Sequence, residues 1–124
     1  MASKVTVKAN KAKIAQLKSA QMTALSKTAE ALHTEIVQAQ VIPFAEGELQ
    51  KSTHVDFTRL NKGKARLVAN TPYARRMYFH PEYNFSKEEN PNARGEWLYD
   101  WGEGAKKDRA KKLYKKFFKQ EVKK

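Results

Sequence analysis

From Lys11 to Gln40 the chain contains neither Gly nor Pro, and Ile14, Leu17, Met22, Leu25, Ala29, Leu32 and Ile36 recur at spacings near three and four. That period puts them on one stripe of an α-helix, with Lys11, Lys13, Lys18, Ser19, Ser26 and Lys27 on the wet face. One long helix is predicted. It should end near Gln40, because Pro43 disfavours helical geometry at Ile42. Just ahead of it, Val5 and Val7 alternate with Thr6 and Lys8, which predicts a short edge strand.

Beyond Pro43 and Gly47 the pattern breaks, with Leu49 the single large apolar residue of a short helical turn. The period then changes to two. Ser52 to Arg59 and Lys64 to Asn70 read as strands, and Leu60-Asn-Lys-Gly63 between them predicts a hairpin turn with Gly63 at positive φ. Two strands alone are marginal, so the long helix is expected to cover their apolar face. Thr71-Pro72 predicts a helix start, with Thr71 as N-cap and Pro72 at the first helical position. This helix is stopped by Pro81 and places Tyr73, Met77 and His80 on one side. Residues 81 to 95 are loop by composition yet carry Tyr83 and Phe85, as contact loops do. Trp97, Leu98, Tyr99 and Trp101 form an apolar cluster ended by Gly102 and Gly104. From Ala105 to Lys124, Ala110, Leu113, Tyr114, Phe117 and Phe118 face a belt of lysines, which is a basic amphipathic helix. The fold class is α+β: a long N-terminal helix on a small antiparallel sheet, a short helix with an aromatic loop, and a basic C-terminal helix.

A length of 124 residues corresponds to one domain, here spanning 1–124 with 105–124 as a basic appendage. With 40% hydrophobic and 31% charged residues, the core should be small. The absence of cysteine excludes a disulfide framework, a thiolate nucleophile and a thiolate metal site. The N-terminus lacks the apolar core of an export signal and no run reaches membrane-spanning length, so a soluble protein of a reducing compartment is expected, with no membrane contact. The net charge of +12 is unevenly placed: residues 41 to 104 are balanced, and the excess lies at the two ends, most of it after Gly104. A neutral body with cationic ends fits a neighbour of a polyanion better than a DNA-reading domain with its own basic face.

Little in the chain suggests catalysis. His33, His54 and His80 show no ligand spacing, the acid pairs Glu46/Glu48 and Glu88/Glu89 sit in turn-like segments, and no nucleophile elbow or phosphate loop occurs. The expectation is no enzyme, no metal and no cofactor. For the C-terminal helix three readings stand: an aromatic stripe packed on the core with a solvated lysine face, proximity to DNA phosphates, or binding to an anionic membrane or groove. The first two are compatible. Asn70 to Asn84 holds four aromatics, two adjacent arginines, a histidine and two prolines. Aromatics and arginine are enriched where protein surfaces bury against each other, so assembly is one reading of Arg75-Arg76. The other is a pair of surface arginines facing Glu82 or Glu96, which would stabilise little.

The run Thr71-Pro-Tyr-Ala-Arg-Arg-Met-Tyr-Phe-His-Pro-Glu-Tyr-Asn-Phe85, with Asn90-Pro-Asn-Ala-Arg-Gly-Glu-Trp97, resembles the minor capsid protein 2 family of long-tailed phages and prophages. That family is similar to the wider group of tail-completion or neck proteins that includes the lambda minor tail protein Z type. The matching elements are Pro43, Gly47-Glu-Leu49 with Ser52, the 52–70 hairpin and Tyr73-Ala74. One position departs: the wider group often carries Glu-x-Gly after its Tyr segment, where this chain reads Tyr78-Phe-His-Pro81. The resemblance implies a virion protein of the head–tail neck, forming a ring taken as hexameric. It would sit between the head-closure connector and the tail terminator, around the DNA passage, after assembly in the host cytoplasm. Tyr73, Arg75, Arg76, Tyr78, His80, Tyr83, Phe85 and Trp97 are the candidate subunit contacts. Lys106, Lys107, Lys111, Lys112, Lys115 and Lys116 are the candidate DNA-proximal residues. The alternative is a stand-alone, sequence-independent nucleic-acid-binding protein, and a small enzyme is a weaker third.

Overall fold

The structure is a computed structural model that describes residues 10–43 and 47–124, with the backbone alone at Glu48. The predicted strand at Val5 and Val7 lies outside the described residues. In chain order the elements are α1 (Lys11–Gln38), α2 (Glu48–Ser52), β1 (His54–Asp56), a 3-10 turn (Leu60–Lys62), β2 (Arg66–Val68), α3 (Ala74–Tyr78), α4 (Tyr99–Gly102) and α5 (Arg109–Val122). The fold is α+β, as the periodicity predicts. Both strands are shorter than their apolar alternation suggests.

Helix α1 begins where Asn10 accepts a hydrogen bond from the Lys13 N–H at 3.1 Å, satisfying one orphan donor of the first turn. It ends two residues before Gln40, which adopts φ 57, while the Ala39 and Gln40 N–H groups close the last turn onto Glu35 and Val37. A left-handed residue after the last turn is the usual helix stop, but glutamine supplies it against steric cost.

The hairpin pairs His54 with Val68, Val55 with Leu67 and Asp56 with Arg66. Gly63 does take positive φ, at 77°. The Arg66 guanidinium donates to Asp56 across the pair at 2.6 Å and, with the Thr58 amide, holds that carboxyl well below the ordinary aspartate range.

The core gathers Ile36, Val41, Ile42, Leu49, Ala74, Trp97 and Trp101, with Leu32, Leu67, Met77 and Tyr78 packed against it. All of it lies at the C-terminal end of α1. Further back along α1 the buried positions are small: Ala20, Ala24 and Thr28, with Ala24 fully buried. The Thr28 hydroxyl is satisfied by donating to the Ala24 carbonyl at 2.7 Å. Helix α5 seats on α1 in antiparallel sense, with Arg109 tied to Glu35 and Glu121 to Lys27, and Leu113 is its buried anchor. The C-terminal helix therefore packs on the body instead of standing off as an appendage, and it starts at Arg109, four residues later than its composition suggests.

One carboxylate joins three elements. Glu35 on α1 accepts from the Trp101 Nε1–H of α4 at 3.2 Å and from the Arg109 Nε–H of α5. Partial burial opposes its ionisation, yet the hydrogen bonds from Arg109 and Trp101 outweigh this and hold its pKa below the ordinary value.

Two outcomes test this architecture. Gln40→Gly should raise unfolding free energy by about 0.5–1 kcal/mol in chemical denaturation, because glycine adopts the left-handed conformation without a Cβ clash. For Glu35, whose folded pKa is lowered, the stabilisation is present above the ordinary value near 4.5 and is lost as pH falls through the lower folded value. The wild type should therefore lose stability across that acid window more steeply than Glu35→Gln, measured by thermal unfolding at a series of pH values.

Candidate subunit-contact surface and basic faces

Helix α3 and the loop after it form a built aromatic surface. Thr71 does not cap this helix, contrary to the expectation: Thr71-Pro72-Tyr73 is a turn, Tyr73 takes the N-cap position, and the buried Thr71 hydroxyl finds no partner among the described residues. The Ala74 N–H instead bonds the Thr71 carbonyl at 3.3 Å. Ala74 is the buried side of α3, so Arg75 and Arg76 point outward.

Beyond α3 the chain folds back so that Arg76 Nε–H donates to the Tyr83 hydroxyl at 3.1 Å, with the guanidinium 5.9 Å from the ring centroid. This hydrogen bond raises the Arg76 pKa further. On Tyr83 the His80 imidazole stacks nearly parallel, centroids 4.8 Å apart, while its Nδ1 pairs with Glu82 at 2.7 Å. That pairing lowers the Glu82 pKa. Phe85 lies 6.3 Å from Tyr83. Arg76, His80, Tyr83 and Phe85 thus form one cluster, and Tyr83 keeps 37% of its surface exposed. A rigid planar stack with an unburied face suits protein contact, since little side-chain entropy remains to be lost on binding.

The loop is held from beneath. A Cβ on Gly95 would come within 2.7 Å of the Pro81 backbone, so only glycine permits this approach, and the Glu96 N–H donates to the Tyr78 carbonyl at 2.8 Å.

Tyr73, 38% exposed, belongs to the same surface, whereas Tyr78 and Trp97 turn inward. Tyr78 meets Trp97 edge-on at 4.8 Å, and its burial, with Glu96 nearby, raises its pKa. Trp97 is a correction to the candidate contacts. At 4% exposure its indole belongs to the core, with no face left for a neighbour. Absent from the candidate contacts is Phe79, which among the described residues is the most exposed large apolar side chain, at 62%. Its place in Met77-Tyr-Phe-His80 gives no periodic signal that would separate it from the inward Tyr78.

The candidate DNA-proximal lysines divide. Lys106 lies over the Trp101 ring at 4.5 Å, where it also favours the Glu35 carboxylate. Lys107, Lys111, Lys112, Lys115 and Lys116 are exposed on or just before α5 and form no ion pair among the described residues. The packed stripe and the free lysine face therefore coexist on one helix.

The histidines sit apart. Thr53 spends its hydroxyl proton on the Gln50 carbonyl, so His33 must donate to it from Nε2 at 2.9 Å. His54 donates from Nδ1 to the Ser52 carbonyl at 2.8 Å. The described residues contain no group of three or more His, Asp or Glu placed to hold a metal, and no helix among them is long and apolar enough to cross a membrane.

Comparison with family models, curated proteins and solved structures finds no match to this chain.

The division between core and surface aromatic residues has a direct check. Trp97→Ala should destabilise the fold by about 3–5 kcal/mol in chemical denaturation, and Phe79→Ala should change it by under about 0.5 kcal/mol.

Proposed function

We propose that the chain is a structural subunit of the neck of a long-tailed phage, joining the head-closure connector to the tail terminator as a ring, six-membered by the family resemblance, around the DNA passage. The observation that carries this reading is the Arg76–Tyr83–His80 stack, exposed on the surface and built by the same Thr71–Phe85 segment that carries the family resemblance. Arg75, Arg76, Tyr73, Phe79 and Tyr83 supply its protein contact. A ring needs two unlike patches per subunit, and this is one of them. The unpaired lysines of α5 supply the DNA-facing charge, through contacts that follow phosphates without reading bases. No reaction, metal or cofactor is assigned.

Arg75→Ala combined with Arg76→Ala should leave the thermal unfolding of the isolated chain within a few degrees of wild type and abolish its incorporation into particles. Particles that contain the double variant at the wild-type level would remove the contact assignment.

A further inference from the structure

Among the described residues, cover over the apolar stripe of α1 thins toward its N-terminal half. Leu32 and Ile36 turn toward the core and Ala29 is buried, but on the same face further back Ile14 is 54% exposed, and Met22 and Leu25 are half-buried in the floor of an open cleft of about 510 Å3. Its walls are Tyr114 of α5 on one side and Leu60 to Gly63 of the hairpin turn on the other. The rim is basic. Lys18 and Lys62 line the cleft, no acidic side chain does, and neither lysine forms an ion pair among the described residues. Lys111 and Lys115 stand at helical spacing on the Tyr114 and Phe118 flank of α5, extending the rim.

An apolar floor with a cationic rim selects an occupant that is both apolar and acidic. Duplex DNA would meet the lysines but leave Met22 and Leu25 uncovered. The chain itself carries the complementary surface in residues 82–89, where Tyr83 and Phe85 are followed by Lys87 and then by Glu88 and Glu89, both glutamates exposed and without ion pairs among the described residues, so that with Glu82 the acids outnumber the one lysine. This loop cannot reach the cleft of its own chain. Asn90 and Asn92 donate from their side-chain amides to the Ile42 and Ala39 carbonyls at 2.8 and 2.9 Å, and the Arg94 N–H donates to the Val41 carbonyl at 3.0 Å. These bonds fix the end of the loop beyond the C-terminus of α1, and Ala39 lies roughly 20 Å along the axis from Leu25.

We infer that the cleft between α1, the hairpin turn and α5 receives the 82–89 loop of a second copy of this chain. The aromatic side chains cover the Met22 and Leu25 floor, and Glu88 and Glu89 meet Lys18 and Lys62. The two patches differ and lie far apart, so the contact is heterologous and propagates from copy to copy. The inference rests on the ring reading above and supplies its second patch.

Charge exchange tests it in sedimentation velocity. The wild type should self-associate at concentrations up to about 1 mM, the weak end of specific binding. Lys18→Glu with Lys62→Glu, and separately Glu88→Lys with Glu89→Lys, should each weaken association at least about tenfold at unchanged thermal stability, since like charges then face each other. An equimolar mixture of the two double variants should restore it, because each cleft then meets a loop of opposite sign. A wild type that stays monomeric, reversals that associate normally, or a mixture that stays apart overturns the inference. So does loss of binding to a duplex oligonucleotide in the Lys18→Glu, Lys62→Glu variant with self-association intact, which makes the cleft a phosphate site. Restored association in a chain that never enters particles upholds the cleft and removes the neck reading; normal incorporation without charge rescue does the reverse.

Discussion

The organising constraint is a mismatch of length. Helix α1, with 28 residues, extends about 42 Å, while strands of three residues each can cover only about 10 Å of it. The core with its two tryptophans therefore forms at one end, and the rest of the helix must find cover elsewhere. Part comes from α5, which packs against α1 and is tied to it at Lys27 and Glu35; the small buried positions Ala20, Ala24 and Thr28 allow close approach on α1. What α5 and the hairpin turn leave open is the cleft floored by Met22 and Leu25.

Glu35 makes this arrangement definite. Its two oxygens fix the register of α4 and α5 against α1, and the apolar flank of α5 is turned inward by that anchoring and by Leu113. The lysines of α5 are then left on the outside, since burying them would be prohibitive, and none of Lys111, Lys112, Lys115 and Lys116 forms an ion pair among the described residues. Charge segregation in the sequence thus becomes spatial segregation: an exposed aromatic surface around α3, and cationic flanks around α5 and the hairpin turn.

The periodic elements were legible from the sequence: the long helix, the hairpin with Gly63 at positive φ, and the amphipathic C-terminal helix all follow from spacing. The stripe on α1 was also legible, but which part of it is covered was not, since Ile14 and Ile36 look alike until tertiary contacts separate them. The α5 seat was hidden because alanines carry a weak hydrophobic signal. Thr71 failed as a cap because a turn at Pro72 and Tyr73 delays the helix, and its buried hydroxyl has no hydrogen-bond partner among the described residues. Trp97 and Phe79 were exchanged because both lie in aromatic-rich segments, and only the tertiary packing, with Trp97 in the core and Phe79 exposed, tells them apart. Among the candidate contacts the Arg76, His80, Tyr83 and Phe85 cluster came together in space, from a segment whose composition alone pointed to assembly.

The central claim is that two surfaces exposed on the single chain, the α3 aromatic stack and the α1 cleft, become buried when it assembles. Hydroxyl-radical footprinting, read residue by residue in mass spectrometry on the free chain and on purified particles, measures this directly. Phe79, Tyr83 and Met22 should react in the free chain and be protected in particles, while Trp97 and Trp101 should be protected in both. Equal reactivity of Phe79, Tyr83 and Met22 in the two states would contradict it.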